Sequence, residues 1–384
     1  MSDSSGIVKL GVTRLLESER DILNGCRVGL IANAASVGEA GTPTASLLMN
    51  AGIDLRCLFA PEHGYQALAG PGQRVLDAVE SGTGLPIHSL YGETRRPGAD
   101  IVREIDALVF DLQDAGVRCY TYIWTMALAM QSVALFGKLF VVLDRPNPIG
   151  GIIVQGPVLD PRFASFLGMY PLPLRYGMTI GELALMFNQS FEIGADLAVV
   201  RMSGWRRRLV FADTGLRWQP PSPSLRSPET ALLYAGTCLF EGTNISEGRG
   251  TSSPFRLIGA PWLDPGIAGQ LDNRWLAGFV LSPQKFTPGS SKYSGEECVG
   301  FAISVVDSEQ ADPVALSVAL LSRIASRHHA ELQWNDEHFD AVAGDDVLRR
   351  EICAGTDPQY IIEGWRESHR RFEKIRTKHL LYEG

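Results

Sequence analysis

The amino-acid sequence predicts an α/β fold, in which a Rossmann-like N-terminal domain with a mostly parallel sheet precedes a smaller α+β C-terminal domain. In the first half, short continuous apolar runs alternate with helical patterns, which is typical of parallel strands covered on both faces. In the second half, one alternating run at residues 299–306 lies among helical segments. The chain has 384 residues, which is more than one typical domain, and its 45% hydrophobic content is enough for a substantial core.

Five apolar runs of the first half are predicted strands, and they cover residues 27–33, 55–60, 87–91, 107–111 and 139–144. The predicted helices between them cover residues 42–51 and 120–136. Residues 150–176 are rich in Gly and Pro and predict a long loop. Thr179 and Glu182 have the spacing of a capping box and predict the start of a helix. Residues 197–202 predict a further strand.

A turn-rich segment at residues 218–224 separates the two predicted domains. We place the boundary near residue 230, so that residues 1–230 form the Rossmann-like domain and residues 231–384 form the smaller α+β domain. The second domain begins with an apolar run at residues 230–240. Residues 313–325 and 360–375 are predicted helices.

Charge and composition exclude several classes of protein. The net charge is −8 and the basic clusters are short, which argues against a nucleic-acid or anionic-membrane partner. The sequence has no apolar run of about 20 residues, so no membrane span is expected. Six cysteines without a CxxC pair, and a first six residues that do not resemble a signal peptide, favour a cytoplasmic location. The oligomeric state is left open.

Polar side chains stand where the predicted strands end. Ligands of open parallel sheets bind outside the carboxyl ends of the strands, so these side chains are expected to converge on one cleft. The residues are Asn33, Glu62, His63, Tyr91, Glu93, Asp111, Gln113, Asp114, Asp144, Arg145 and Asn147.

Among these strand ends, the segment Pro61-Glu62-His63-Gly64 gives the most specific indication of function. Pro restricts the chain and Gly permits a tight turn, so Glu62 would be held rigidly, as a general acid must be. The alternative interpretation is that Glu62 caps a helix or is a surface carboxylate. Neighbours in an extended chain point in different directions, so Glu62 and His63 are not expected to share a metal ion. Nucleotide-binding glycine loops and a nucleophile elbow are missing from the sequence, and no cofactor is expected.

A second polar segment, residues 244–251, contains Asn244, Glu247 and Arg249. Arg249 stands between Gly248 and Gly250, which would present it tightly, and arginine suits bidentate recognition of a carboxylate. A flexible surface loop is the alternative interpretation.

Four segments together resemble the NamZ-type exo-β-N-acetylmuramidases, glycoside hydrolase family 171, which was formerly a domain of unknown function. The matching segments are residues 59–64, 111–122, 144–151 and 236–251. The resemblance implies an active site between two domains, no cofactor, and Glu62 as the catalytic glutamate. It also implies release of N-acetylmuramic acid from the non-reducing ends of peptidoglycan-derived saccharides. The missing secretion signal then points to cell-wall recycling inside a bacterial cell.

Glycoside hydrolysis usually requires a second carboxylate, and Asp111, Asp114, Asp144 and Glu247 are all eligible, as is assistance by the substrate's own acetamido group. Candidate partners for the lactyl carboxylate are Arg249, Arg118 and Arg145. Further candidate substrate-binding residues are Asn33, His63, Tyr120, Asp144, Asn147, Asn244 and Glu247. Two other functions stay open: a non-catalytic binding protein for acidic amino sugars, and a metal-dependent hydrolase that uses the same cleft.

Overall fold

We analysed a computed structural model, which describes residues 7–384. Residues 1–6, on which the expectation of a missing secretion signal depends, lie outside the described residues. The strands are β1 Arg27–Ala32, β2 Asp54–Ala60, β3 Ala78–Val79, β4 Pro86–Ser89, β5 Ala107–Asp111, β6 Leu139–Leu143, β7 Gln155–Val158, β8 Pro173–Arg175, β9 Asp196–Val200, β10 Leu257–Ala260, β11 Phe279–Phe286 and β12 Cys298–Val305. The α-helices are α1 Gly11–Arg14, α2 Thr44–Asn50, α3 Ala99–Glu104, α4 Tyr122–Ala134, α5 Ile180–Ser190, α6 Pro228–Thr237, α7 Pro313–Arg327, α8 Asp336–Ala343, α9 Val347–Cys353, α10 Pro358–Gly364 and α11 Arg366–Arg376.

Seven strands form one sheet in the order β3-β4-β2-β1-β5-β6-β9. All neighbouring pairs are parallel except β3 with β4. Leu30 on the central strand pairs with Leu58 on one side and Val109 on the other, and all three are fully buried. These strands are apolar along their length because both faces of the sheet are covered, which confirms the predicted mostly parallel sheet.

The chain changes direction across the sheet at β1. From β1 it first builds the side that contains β2 and β4, and it then returns to add β5, β6 and β9 on the other side. In open α/β sheets such a switch point opens a crevice at the carboxyl ends of the strands. Side chains that follow β1, β2 and β5 are therefore placed near one crevice.

Helix α4 lies under this crevice and is buried on almost all sides. Eleven of its thirteen residues are buried, so it is enclosed by β6, α3, α5 and other parts of the chain instead of facing solvent on one side. Thr121 is its N-cap residue, at the end that faces the crevice. The predicted capping box at the start of α5 is confirmed, because the Thr179 hydroxyl accepts from Glu182 and the Glu182 carboxylate accepts from Thr179.

The C-terminal part contains a three-stranded antiparallel sheet, in the order β10-β12-β11, and the six α-helices α6 to α11. Helices α6 and α7 approach each other closely at Gly236, where a Cβ atom would lie 1.8 Å from the Pro313 carbonyl oxygen. A residue with a side chain at this position would push the two helices apart. The helix predicted at residues 313–325 is confirmed as α7.

Two predicted segments differ from the structure. Residues 360–375 form two helices, α10 and α11, that meet at Trp365 just after Gly364, because glycine weakens the helix at that point. Residues 150–176 are not a structureless loop, since β7 and β8 pair there as a two-stranded ribbon. The Gly and Pro content of these short strands hid them from the pattern.

One apolar core crosses the predicted domain boundary. The largest cluster of buried side chains contains Phe59 and Phe110 of the parallel sheet together with Tyr234 and Phe301 of the C-terminal part. The two parts therefore pack against each other as one body, with the crevice at the edge of their contact. None of the helices among the described residues is long and apolar enough to cross a membrane.

Candidate active site

A cavity of about 600 Å³ opens between the carboxyl edge of the sheet and the C-terminal part of the chain. This volume is within the range of small-molecule sites, roughly 300–1,000 Å³. Its N-terminal wall includes Glu62, His63, Tyr91, Arg95, Tyr120, Thr121 and Phe166. Its C-terminal wall includes Tyr234, Glu241, Arg249, Phe255, Glu337 and His338.

Glu62 is fixed at the floor of this cavity, directly after β2. One carboxylate oxygen, Oε1, accepts a hydrogen bond from the Gly72 amide at 2.8 Å, and the other, Oε2, accepts from the Thr121 hydroxyl at 2.7 Å. The side chain is only 7% exposed. Each oxygen thus has a protein donor, and these bonds orient the carboxyl group against the cavity.

His63 lines the same cavity as Glu62, which differs from the expectation that neighbouring side chains would diverge. The reason is the backbone of His63, which is in the left-handed region with φ of 70° and turns the chain at once. Its Nδ1 lies 2.7 Å from the Ala69 carbonyl oxygen. A carbonyl can only accept, so Nδ1 carries the proton. Burial, and to a smaller extent Arg249, lowers the pKa of His63 and favours the neutral ring, although Glu62 acts in the opposite direction.

Arg249 reaches the cavity from the C-terminal part, but its charge is already shared with two carboxylates. Its Nη2 lies 2.9 Å from Glu241 Oε2, and its Nε lies 3.3 Å from Glu247 Oε1. Burial disfavours the guanidinium charge, yet Glu241 and Glu247 outweigh this and raise the pKa of Arg249. Glu247 also pairs with Lys292 at 2.9 Å and does not line the cavity. The charges around this loop therefore compensate one another, and the ion pairs hold it in place, so it is not a flexible surface loop.

Asp111 and Arg145 form a buried ion pair that joins the ends of β5 and β6. The guanidinium contacts both carboxylate oxygens, at 2.5 and 2.8 Å, and the exposed fractions of the side chains are 1% and 4%. Thr44 donates a further hydrogen bond to Asp111 at 2.5 Å. Neither residue is among those that line the cavity in the described chain. We therefore withdraw Asp111 as a second catalytic group and Arg145 as a carboxylate receptor.

Asp114 and Asp144 also serve interior contacts. Asp114 accepts hydrogen bonds from the Tyr176 hydroxyl and from the Gly116 amide, and burial raises its pKa to about 6. Asp144 accepts from the Gly181 amide and from the hydroxyl groups of Thr179 and Tyr382, and burial raises its pKa to about 7 against these donors. Asp114 holds loops together within the N-terminal domain, and Asp144 also ties this domain to Tyr382 of the C-terminal domain. Neither is among the described residues that line the cavity.

Arg118 is a structural arginine. It is fully buried and donates hydrogen bonds to three carbonyl oxygens, those of Pro157, Leu172 and Val342, at 2.7 to 2.8 Å. The third of these bonds ties the N-terminal domain to α8. Its charge is thus directed at backbone and not at the cavity, and we withdraw it as a receptor for the substrate.

Three predicted amide side chains lie outside the cavity lining as well. Asn33 donates to the Pro221 carbonyl at 3.2 Å, and Asn147 donates to the Met178 carbonyl at 2.8 Å. Asn244 is bonded to the backbone of Glu331 and Gln333, on another face of the C-terminal part. Each of them satisfies buried or turn backbone, which is what short polar side chains commonly do at the ends of strands.

The predicted residues that the structure brings to the cavity are thus Glu62, His63, Tyr120 and Arg249, together with the strand-end residue Tyr91. Sequence reasoning missed Arg95, Thr121, Glu241, Glu337 and His338. Thr121 and Glu241 stand within segments that carried the resemblance, but spacing along the chain did not show that they face Glu62. Groups of three or more His, Cys, Asp or Glu side chains that could hold a metal ion do not occur among residues 7–384.

Comparisons with known proteins identify the family and agree with the fold. The families described as exo-beta-N-acetylmuramidase NamZ, N-terminal and C-terminal, match residues 28–229 and 232–382. The chain is 41% identical to the peptidoglycan beta-N-acetylmuramidase NamZ of Bacillus subtilis (strain 168), over 98% of this chain and 91% of that protein.

Two crystal structures of DUF1343 family proteins from Bacteroides fragilis have the same fold. One has a TM-score of 0.90 at 32% identity, and the other has a TM-score of 0.80 at 29% identity. In both cases the match covers 98% of this chain and 99% of the other. The chain belongs to the NamZ family of exo-β-N-acetylmuramidases, as its motifs indicated.

Proposed function

We propose that this protein hydrolyses the β-1,4 bond after an N-acetylmuramic acid residue at the non-reducing end of peptidoglycan fragments, with Glu62 as the general acid. The single observation that carries the residue assignment is the fixed carboxyl group of Glu62 against the cavity, held by the Gly72 amide and the Thr121 hydroxyl. Membership of the exo-β-N-acetylmuramidase family supports the reaction and the peptidoglycan substrate.

The geometry around Glu62 suits proton transfer to a leaving group. A general acid must point at the glycosidic oxygen, and a carboxyl group held at both oxygens loses little orientational freedom on reaching the transition state. Neutral His63 beside it adds polarity without a second positive charge. Tyr91, Tyr120 and Phe166 supply the aromatic walls of the cavity.

Fewer side chains are candidates for the second catalytic group once their contacts in the fold are considered. Asp111, Asp114, Asp144 and Glu247 are engaged in interior contacts, whereas Glu241 and Glu337 line the cavity. Glu241 pairs with Arg249, and Glu337 is exposed at the start of α8. These two carboxylates and the acetamido group of the substrate are the candidates for the second role.

The test of the acid is the dependence of rate on the leaving group. Glu62→Gln keeps the shape of the side chain but removes the transferable proton. We expect kcat to fall by about 10²–10⁴-fold on a disaccharide, whose leaving alcohol needs a proton. On a nitrophenyl glycoside of N-acetylmuramic acid, whose leaving group departs without protonation, the loss in the bond-breaking step should be much smaller.

The matched control is Glu93→Gln, which makes the same chemical change on an exposed carboxylate that pairs with Arg74 outside the cavity. This variant should retain the activity of the wild type on both substrates. Equal losses for Glu62→Gln on the two substrates would remove Glu62 from the role of acid. Binding of the sugars by a wild-type protein that turns over neither substrate would favour a non-catalytic binding protein.

We also propose that the protein works in a reducing compartment, the cytoplasm, as part of cell-wall recycling. The six cysteines, all within the described residues and none in a disulfide, support this location. Fractionation of the native host with cytoplasmic and extracellular marker enzymes tests it, and recovery of the protein outside the cell would refute it.

A further inference from the structure

Two arginines are found among the described residues that line the cavity, and they differ in how their charge is compensated. Arg249 pairs with Glu241 and Glu247. The structure gives Arg95 no ion pair or hydrogen bond with any residue from 7 to 384, only ring contacts. An anion that enters a cavity containing Glu62, Glu241 and Glu337 must find a cation that these carboxylates do not already neutralise. Arg95 is the cation that meets this condition.

Arg95 is held in place by two aromatic rings. The carbon atom of its guanidinium lies 4.1 Å from the centroid of the Phe166 ring and 5.1 Å from that of the Tyr91 ring. The two rings are themselves neighbours, with centroids 5.9 Å apart. Because these three distances place the rings side by side and not on opposite faces of the guanidinium, the rings support the side chain from one side. The N–H groups that face away from the rings can bind a carboxylate with two parallel hydrogen bonds.

We propose that Arg95 recognises the lactyl carboxylate of N-acetylmuramic acid and so selects this sugar over N-acetylglucosamine. The inference rests on the proposed function and names the residue that sets its specificity. It replaces Arg249, Arg118 and Arg145, whose guanidinium groups are engaged by carboxylates or by backbone carbonyls.

Arg95 and Glu62 line the same cavity, and both lie close to Tyr91. The scissile bond and the lactyl ether belong to the same sugar ring, so the acid and the carboxylate receptor must lie about one ring apart. Tyr91 connects them. Burial, and to a smaller extent Glu62, raises the pKa of Tyr91 to about 12, while Arg95 lowers it, so both charged groups act on this one ring. A sugar bound next to Tyr91 would therefore lie near both Glu62 and Arg95.

The test compares three nitrophenyl glycosides in Arg95→Ala, Arg95→Lys and the wild type. The sugars are N-acetylmuramic acid, its neutral lactyl methylamide, and N-acetylglucosamine. Losing a charged partner should lower kcat/KM of Arg95→Ala on N-acetylmuramic acid by about ten- to a hundredfold. The activity on the two neutral sugars should change little. Arg95→Lys should recover part of the loss, because lysine lacks the planar fork.

Arg96→Ala is the matched control, since Arg96 is an exposed neighbour that does not line the active-site cavity. It should behave as the wild type on all three sugars. Equal losses for Arg95→Ala on charged and neutral sugars would overturn the inference, as would a selective loss in Arg249→Ala alone. A loss confined to a substrate that carries a stem peptide would mean that Arg95 binds a peptide carboxylate, which also refutes it. In each of these cases turnover by the wild type keeps the proposed function intact, whereas a wild type without turnover refutes the function itself.

Discussion

Asp111→Asn separates a structural role for Asp111 from the catalytic role that the sequence had allowed. The substitution keeps the size of the side chain and removes its charge. Arg145 then remains buried, with an exposed fraction of 4%, and it loses the carboxylate that it contacts at 2.5 and 2.8 Å. The account predicts a loss of stability and not of chemistry.

The magnitude follows from the burial of the pair. Breaking a buried ion pair by removing one partner typically costs about 3–5 kcal/mol, because an uncompensated charge stays in the interior. A domain of this size has about 5–15 kcal/mol of stability and loses about 2–4 °C of Tm per kcal/mol. We therefore expect Tm to fall by roughly 6–20 °C while the protein stays folded at 25 °C. In the folded variant, kcat should remain within about threefold of the wild type, because Asp111 does not line the cavity.

The assay pairs thermal unfolding with kcat at 25 °C, and Glu62→Gln is the reference variant. Glu62→Gln should show the opposite pattern, with a large loss of kcat and a small change in Tm. An Asp111→Asn protein with the Tm of the wild type and a hundredfold loss of kcat would refute this reasoning and restore Asp111 as a catalytic group.

Three further predictions concern metal ions, pH and the loop that carries Arg249. Exhaustive chelation should leave kcat unchanged, because a metal-holding group of side chains is not found among residues 7–384, and activity that returns only with added Zn²⁺ or Mg²⁺ would contradict this. Burial lowers the pKa of His63 in the folded protein, so the unfolded state binds a proton at this residue more tightly than the folded state does. The folded protein is therefore destabilised by this residue as pH falls below the ordinary histidine pKa of about 6.5, and it is not destabilised above that pH. Measured between pH 7 and 5, the Tm of His63→Asn should therefore fall less than that of the wild type, and parallel curves would count against the prediction. Gly250→Ala should destabilise the protein by more than about 1 kcal/mol in denaturant unfolding, because φ is 81° and a Cβ would lie 2.3 Å from the Ser290 carbonyl oxygen; an unchanged midpoint would contradict it.

The sheet was predictable because its central strands are buried on both faces. Short, continuous apolar runs such as residues 107–111 and 139–143 are typical of strands in a covered parallel sheet, and the capping box of α5 marks a helix start within four residues. The short ribbon of β7 and β8 was not predictable from this kind of pattern. Its strands contain Gly and Pro, and its pairing depends on tertiary contacts.

The candidate site was predictable only in part, for a related reason. A polar residue at the end of a strand can face the crevice, as Glu62 does, or turn inward to satisfy an arginine or a backbone amide, as Asp111 and Asp144 do. Both choices look alike in the sequence. Glu62 differs because the positive φ values of His63 and Gly64 turn the chain directly after it. Its catalytic role stays a prediction.

The sequence did not suggest Arg95, the receptor that we propose, because its pattern favours Arg249 instead. Arg249 stands between two glycines in a segment that carries the resemblance, whereas Arg95 lies in a stretch without a motif after β4. Only the fold shows that Glu241 and Glu247 neutralise Arg249 while Phe166, more than seventy residues further along the chain, supports Arg95.

The most direct test of the proposed function is product analysis on a defined tetrasaccharide of alternating N-acetylmuramic acid and N-acetylglucosamine, with N-acetylmuramic acid at the non-reducing end and an isotope label at the reducing end. The account predicts that the wild type releases free N-acetylmuramic acid and leaves a labelled trisaccharide as the first products in mass spectrometry, and that Glu62→Gln releases neither at a comparable rate. If the first products were two disaccharides, the enzyme would cleave the tetrasaccharide internally, which would contradict the account. Release of N-acetylglucosamine from the other end, or an intact tetrasaccharide bound to the wild-type protein, would likewise contradict the account.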